Sequence, residues 1–210
     1  MQNLNVIERT LVTSMVLLLS PVVSHGGPKH EEDTVIGRTA SGLLAVEIGS
    51  PGLNALPPVD GLIQGWALDE PGLKSLDADE PAKDFFMLNP GTIINLELVS
   101  IDPALKVWSP GFLTALTAPG NSFVVGASEF DVHPTFHIDS NDAEFNPVET
   151  VFTATFRVHD SGATGYSDSE PFSLSFGPVP EPATALFVGF GFLGLWGRRG
   201  RRAGQKRSTS

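Results

Sequence analysis

The sequence predicts an all-β domain, an antiparallel β-sandwich of jelly-roll-like form. An N-terminal signal peptide precedes it and one C-terminal membrane helix follows it. Three observations carry that prediction. Short β-branched and aromatic runs recur from Thr34 to Phe176. Glycine and proline, 22 and 17 of 210 residues, punctuate them together with Asn and Asp. The runs alternate with period two, and almost no helical apolar period lies between them. Many short strands joined by Gly/Pro turns describe a sandwich or a barrel.

Met1 to Ser24 has the layout of a secretory signal peptide. Arg9 supplies the positive region, and Leu11 to Leu19 the apolar one. Val22 and Ser24 stand at −3 and −1 of a cleavage after Ser24. A retained anchor is the alternative, which the short apolar run and Pro21 oppose. Cleavage by signal peptidase leaves His25 first, at the head of a polar stretch, residues 25–33.

The sandwich domain is expected over residues 34–177. Thr34 to Thr39 and Leu43 to Ile48 are short and β-branched. Gly49-Ser50-Pro51-Gly52 and Pro57-Pro58 read as breaks, and Gly61 to Ala67 as a short apolar stretch containing Trp66. Asp69 to Asp84 is acidic and carries two Glu-Pro pairs, so a solvated loop with one helical turn is expected. Phe85 to Leu88 precedes an Asn89-Pro90-Gly91 turn. Ile93 to Ile101 is apolar on both faces, which suits a central strand. Lys106 to Trp108 and Ser122 to Ala127 are further strands, and Leu113 to Ala118 fits a strand or a helical turn. Phe130 to Asp139 alternates. In Thr150 to His159, Phe152, Ala154, Phe156 and Val158 share one face. Phe172, Leu174 and Phe176 do the same and close the domain, and Gly177-Pro178 reads as a linker.

Charge is unevenly divided. Between His25 and Pro178 there are 22 acidic and 6 basic side chains, a net of −16. Such a field repels nucleic acid and attracts cations. No cysteine is present, which excludes disulfides, thiol catalysis and Cys-ligated zinc.

Four kinds of chemistry are weighed. His133 and His137 are four apart; in a strand they share a face at about 13 Å, from about 3.3 Å per residue. A bend at Pro134 would bring them to one ion. With His25 at the mature N-terminus, its amine and imidazole would join His133 or His137 in a histidine-brace-like copper site. Hydrogen-bonded strand histidines are the alternative. Asp139, Asp142 and Glu144 lie in a loop rich in oxygen donors, so calcium is a second candidate and an Asx-rich turn its alternative. Hydrolysis would need a carboxylate pair that the sequence does not single out, and no Gly-x-Ser-x-Gly or His-Glu-x-x-His motif occurs. Trp66, Trp108 and Tyr166 are candidates for a sugar-stacking face; a place in the core is the alternative for each.

The tail is a distinct unit, residues 178–210. Pro180-Glu181-Pro182 is held extended by its prolines. Ala183 to Trp196 is fourteen residues without a charge. An apolar helix over residues 183–197 is expected, tipped by a basic end at residues 198–207 containing Arg198, Arg199, Arg201 and Arg202. At about 1.5 Å per residue fourteen residues reach about 21 Å, so snorkelling arginines complete the span. The positive-inside rule keeps that end cytoplasmic.

Pro180-Glu181-Pro182, the short Gly/Leu/Phe span and the arginine cluster, in that order, resemble the PEP-CTERM sorting tail of exported proteins of Gram-negative bacteria. The resemblance covers about Val179 to Arg202. It implies recognition and cleavage near the tripeptide by an exosortase, a membrane transpeptidase-like enzyme. It implies passage through an inner-membrane intermediate to the cell surface or extracellular matrix, often beside extracellular polysaccharide. The expected role is non-catalytic, structural or adhesive, in contact with glycan. An envelope protein binding copper or calcium is the second reading, and a secreted hydrolase the third.

Overall fold

The computed structural model describes residues 33–49 and 51–179. The expected signal peptide, His25, the Pro180-Glu181-Pro182 motif, the apolar segment 183–197 and the arginines at 198, 199, 201 and 202 lie outside the described residues. Among the described residues no helix is long and apolar enough to cross a membrane.

The protein is all-β, as expected. In chain order the strands are β1 (Thr34–Arg38), β2 (Leu44–Ile48), β3 (Leu53–Leu56), β4 (Pro58–Val59), β5 (Gly65–Leu68), β6 (Leu73–Ser75) and β7 (Ile94–Ile101). Then come β8 (Leu105–Trp108), β9 (Ala115–Leu116), β10 (Ser122–Gly126), β11 (Asp131–Val132), β12 (Thr135–Asp139), β13 (Phe152–Asp160) and β14 (Phe172–Pro178). Short 3-10 turns occupy Pro81–Lys83 and Pro110–Phe112.

These strands form three sheets. One five-stranded sheet has the order β10-β7-β13-β14-β3, the other β4-β5-β12-β8-β9, and a four-stranded sheet runs β11-β6-β1-β2. β13 shows why the first is stable. Its period-two pattern buries Phe152, Ala154, Phe156 and Val158 completely, and β14 answers with Phe172, Leu174 and Phe176. On the facing sheet, Phe136 of β12 stacks on Phe176 at 4.4 Å and meets Phe156 edge-on at 6.5 Å. Offset and edge-on rings are the favoured aromatic geometries. Ile36, Leu44 and Leu73 of the four-stranded sheet enter the same core cluster.

Five expectations change. Two pairings are parallel, β1 with β6 and β14 with β3, so the fold is not purely antiparallel. Neither pair is joined by a hairpin, and a long connection permits parallel pairing. The segment read as a solvated loop contains β6, with Leu73, Ser75 and Leu76 buried. Its acids drew the reading outward, while two leucines enter the core. The Gly/Pro breaks hide β3 and β4, which lie at sheet edges, where proline is tolerated. Phe85 to Leu88 makes only isolated bridges, Phe85 to Glu80 and Phe86 to Arg38. Finally, Gly177-Pro178 is not a linker. β14 runs to Pro178, and the Val179 N–H donates to the Leu56 carbonyl oxygen at 2.9 Å.

Candidate functional site

The outward face of the β4-β5-β12-β8-β9 sheet carries the most concentrated polar and aromatic chemistry among the predicted site residues. Strand alternation builds it. On β8, Leu105 and Val107 point into the core, so Lys106 and Trp108 point out. On β12, Phe136 and Ile138 point in, and His137 and Asp139 lie on the other face. Register places His137 opposite Lys106, and Thr135 opposite Trp108.

Two loops wall this face. Residues 61–64 precede β5, and the 3-10 turn Pro110–Phe112 follows β8. Between them lies a groove of about 530 Å³ lined by both loops, Lys106, Trp108, His137, Asp139 and Asn141. Trp108 and Phe112 form its aromatic side, ring centroids 5.7 Å apart and tilted by 49°. Phe112 holds a left-handed backbone, φ 59°, and is 43% exposed. A bulky residue there is a strained position, and such positions cluster at binding sites.

The polar side is an ionic knot. Lys106 Nζ lies 2.6 Å from Asp139 Oδ2 and 3.3 Å from Asp142 Oδ2. Burial opposes the lysine charge, but the two carboxylates outweigh it and raise its pKa above the ordinary value. Burial likewise opposes the Asp139 charge. Hydrogen bonds from Lys106 and the Asn141 N–H prevail and lower its pKa. The Glu144 N–H and Lys106 lower that of Asp142. All three groups are therefore charged at neutral pH.

The second oxygen of each aspartate makes an Asx turn. The Asn141 N–H donates to Asp139 Oδ1 at 2.9 Å, and the Glu144 N–H to Asp142 Oδ1 at 3.0 Å. The geometry is thus that of the turn weighed against calcium, with an ammonium group between the two aspartates. Glu144 contributes its backbone N–H to the turn.

The histidines diverge. His137 is 2% exposed, and its Nε2 lies 2.9 Å from the Gln64 carbonyl oxygen, to which Nε2–H donates. His133 faces other groups: Asp69 O at 3.0 Å from Nδ1, Glu70 and Asp131. The aromatic trio is also split. Trp66 pairs with Ile138 in register and so lies on the inner side; it stacks on Phe145 at 5.8 Å and donates Nε1–H to Val179 O at 3.0 Å. Tyr166 accepts the Asn89 N–H at 3.1 Å, away from the groove. Of the three, Trp108 alone lines it.

Sequence reasoning missed Phe112, Lys106 and the loop at residues 61–64. Lys106 was legible as the residue alternating with Val107; Phe112 follows Pro110-Gly111, a turn that presents its side chain. Reasoning from spacing also missed Asp33 and Glu70, which the fold brings to His133.

A family model describing the PEP-CTERM protein-sorting motif matches residues 178–202. No curated protein and no solved structure matches the chain. The chain thus carries a PEP-CTERM sorting motif that begins at the last residue of β14. The motif implies export to the cell surface and processing by an exosortase.

Proposed function

We propose that this exported chain is a non-catalytic surface or matrix protein, structural or adhesive, whose β domain contacts extracellular polysaccharide through the Trp108–Phe112 groove. The tail at residues 178–210 would hold it in the inner membrane until exosortase cuts near Pro180-Glu181-Pro182. The two five-stranded sheets, read as halves of a jelly-roll-like sandwich, would then be the delivered part.

The observation that carries the glycan reading is the aromatic side of the groove facing Lys106, Asp139 and Asn141. A sugar ring offers an apolar C–H face and a hydroxyl edge. Aromatic faces take the first, and charged or amide groups take the second. The groove is open to solvent between its loops, which suits a polymer.

Hydrolysis of that polymer would need a carboxyl group able to hold a proton near working pH. The Glu144 N–H with Lys106 keeps Asp142 ionised, and Lys106 with the Asn141 N–H does so for Asp139, which supports binding over cleavage. The same ammonium disfavours calcium at this loop.

The test is titration of the purified chain with exopolysaccharide from its own source. Trp108→Ala should weaken binding by about ten-fold, about 1.4 kcal/mol, the scale of one stacked ring. Trp66→Phe, on the inner side, should leave affinity unchanged. Equal affinity in wild type and Trp108→Ala would overturn the assignment of this groove.

A further inference from the structure

Three neighbouring strands of the four-stranded sheet place their residues in one row. Thr34 of β1 and Val132 of β11 both pair with Leu73 of β6. One step back along β1 and β6, and one step on along antiparallel β11, the row reads Asp33, Gly72, His133. The middle member has no side chain, so its two neighbours lean over it. A Cβ at residue 72 would lie 2.7 Å from Asp33 Oδ1 and 3.0 Å from His133 Nδ1. The loop before β6 brings a third group. Glu70 Oε2 accepts the Gly72 N–H at 3.0 Å, and Oε1 lies 3.5 Å from His133 Nδ1. Asp33, Glu70 and His133 each offer a ligand atom, all within 4.8 Å of one another.

Asp33 separates this cluster from ordinary acidic surface. It is 2% exposed, and its Oδ1 has no hydrogen-bond partner among the described residues. Lys74 Nζ sits 3.7 Å from the other oxygen, Oδ2. A buried carboxylate oxygen without a donor is costly and calls for a cation. Asp131 Oδ1, 3.5 Å from His133 Nε2, stands on the far side of the imidazole. A carboxylate accepting one ring N–H turns the other nitrogen's lone pair toward a metal. Without an ion, Nδ1–H donates to the Asp69 carbonyl oxygen at 3.0 Å; a bound ion displaces that proton, Nε2 takes one up beside Asp131, and the Asp69 oxygen becomes a further oxygen ligand.

We infer that Asp33, Glu70 and His133 form a binding site for one divalent first-row transition cation of the zinc or manganese kind. One imidazole nitrogen among carboxylate oxygens suits these ions, whereas calcium takes all-oxygen sets. The ion ties the start of β1 to β6 and β11.

The experiment uses the full chain in detergent, stripped with chelator, in a His25→Ala, His30→Ala background so that these histidines supply no rival site. Calorimetric titration with zinc should give one ion per chain. Asp33→Asn and His133→Gln should each lose about ten-fold or more in affinity, and Gly72→Ala should do the same by filling the cradle. Asp33→Asn keeps the shape, so its circular dichroism should match the parent even where Gly72→Ala misfolds. A parent that binds calcium but no zinc, or no zinc at millimolar concentration, overturns the inference. So does zinc affinity unchanged in both Asp33→Asn and His133→Gln.

Discussion

Asp160 shows how a single side chain secures a loop here. It ends β13, and its Oδ1 accepts the N–H groups of Ile93 and Gly162, both at 2.8 Å. Its Oδ2 accepts the Thr164 hydroxyl. Burial opposes its charge, but these donors together outweigh it, and the carboxyl pKa falls below the usual range. A carboxyl with a lowered folded-state pKa contributes stability above its unfolded value, about 3.9, and loses it as pH falls through the folded value. Asp160→Asn should therefore cost about 1 kcal/mol at neutral pH, below the usual value for charged hydrogen bonds because the loop is partly solvated. The difference should shrink as pH drops below about 4. Urea denaturation at several pH values reads both effects; a gap that stays constant with pH would show that charge is not the cause.

At the scale of elements, the pairing of β5 with β12 does two jobs: it joins an edge hairpin to the core and sets the loop that walls the groove. Gly65 pairs with Asp139 at φ 119°, and a Cβ there would run into the Ile138 carbonyl oxygen. Gly65→Ala should cost about 2 kcal/mol or more through strain and overpacking. It should also weaken polysaccharide binding, because the 61–64 loop leans on His137 through Gln64. Denaturation and titration of one variant check both, and an unperturbed fold with full affinity would contradict the coupling. The strands that the sequence disclosed were those whose alternation exceeds any other signal. β13 and β14 place every second residue in the core, so period two alone located them. β6 was hidden because Leu73 and Ser75 are too few to make a period, and the acids around them dominate the composition. The site was less legible for a related reason. Trp108 was identifiable as a residue type, but its partner Phe112 reaches it only through a turn. The row of Asp33, Gly72 and His133 spans three strands, and its signal is a missing side chain, which no spacing along one chain reveals.

At the scale of the whole molecule, the junction between domain and sorting motif is tight. The matched motif begins at residue 178, the last residue of β14, so the two overlap. Pro178 pairs with Leu56, the Val179 N–H donates to Leu56 O, and Val179 O accepts the Trp66 indole at 3.0 Å. The folded part is thereby held until one residue before Pro180-Glu181-Pro182. Two truncations separate folding from sorting. A chain ending at Val179 keeps all three contacts and should unfold at the same denaturant concentration as the intact chain. One ending at Gly177 loses the Leu56 bond and the indole acceptor, and should be less stable by about 1–2 kcal/mol, two ordinary hydrogen bonds. In cells the distinction vanishes, since both lack the tripeptide, the apolar run and the arginines. Fractionation should find both released where the intact chain is retained and processed. A Val179-ending chain that stays with the envelope as the intact one does would mean that the β domain, not the tail, determines where this protein resides.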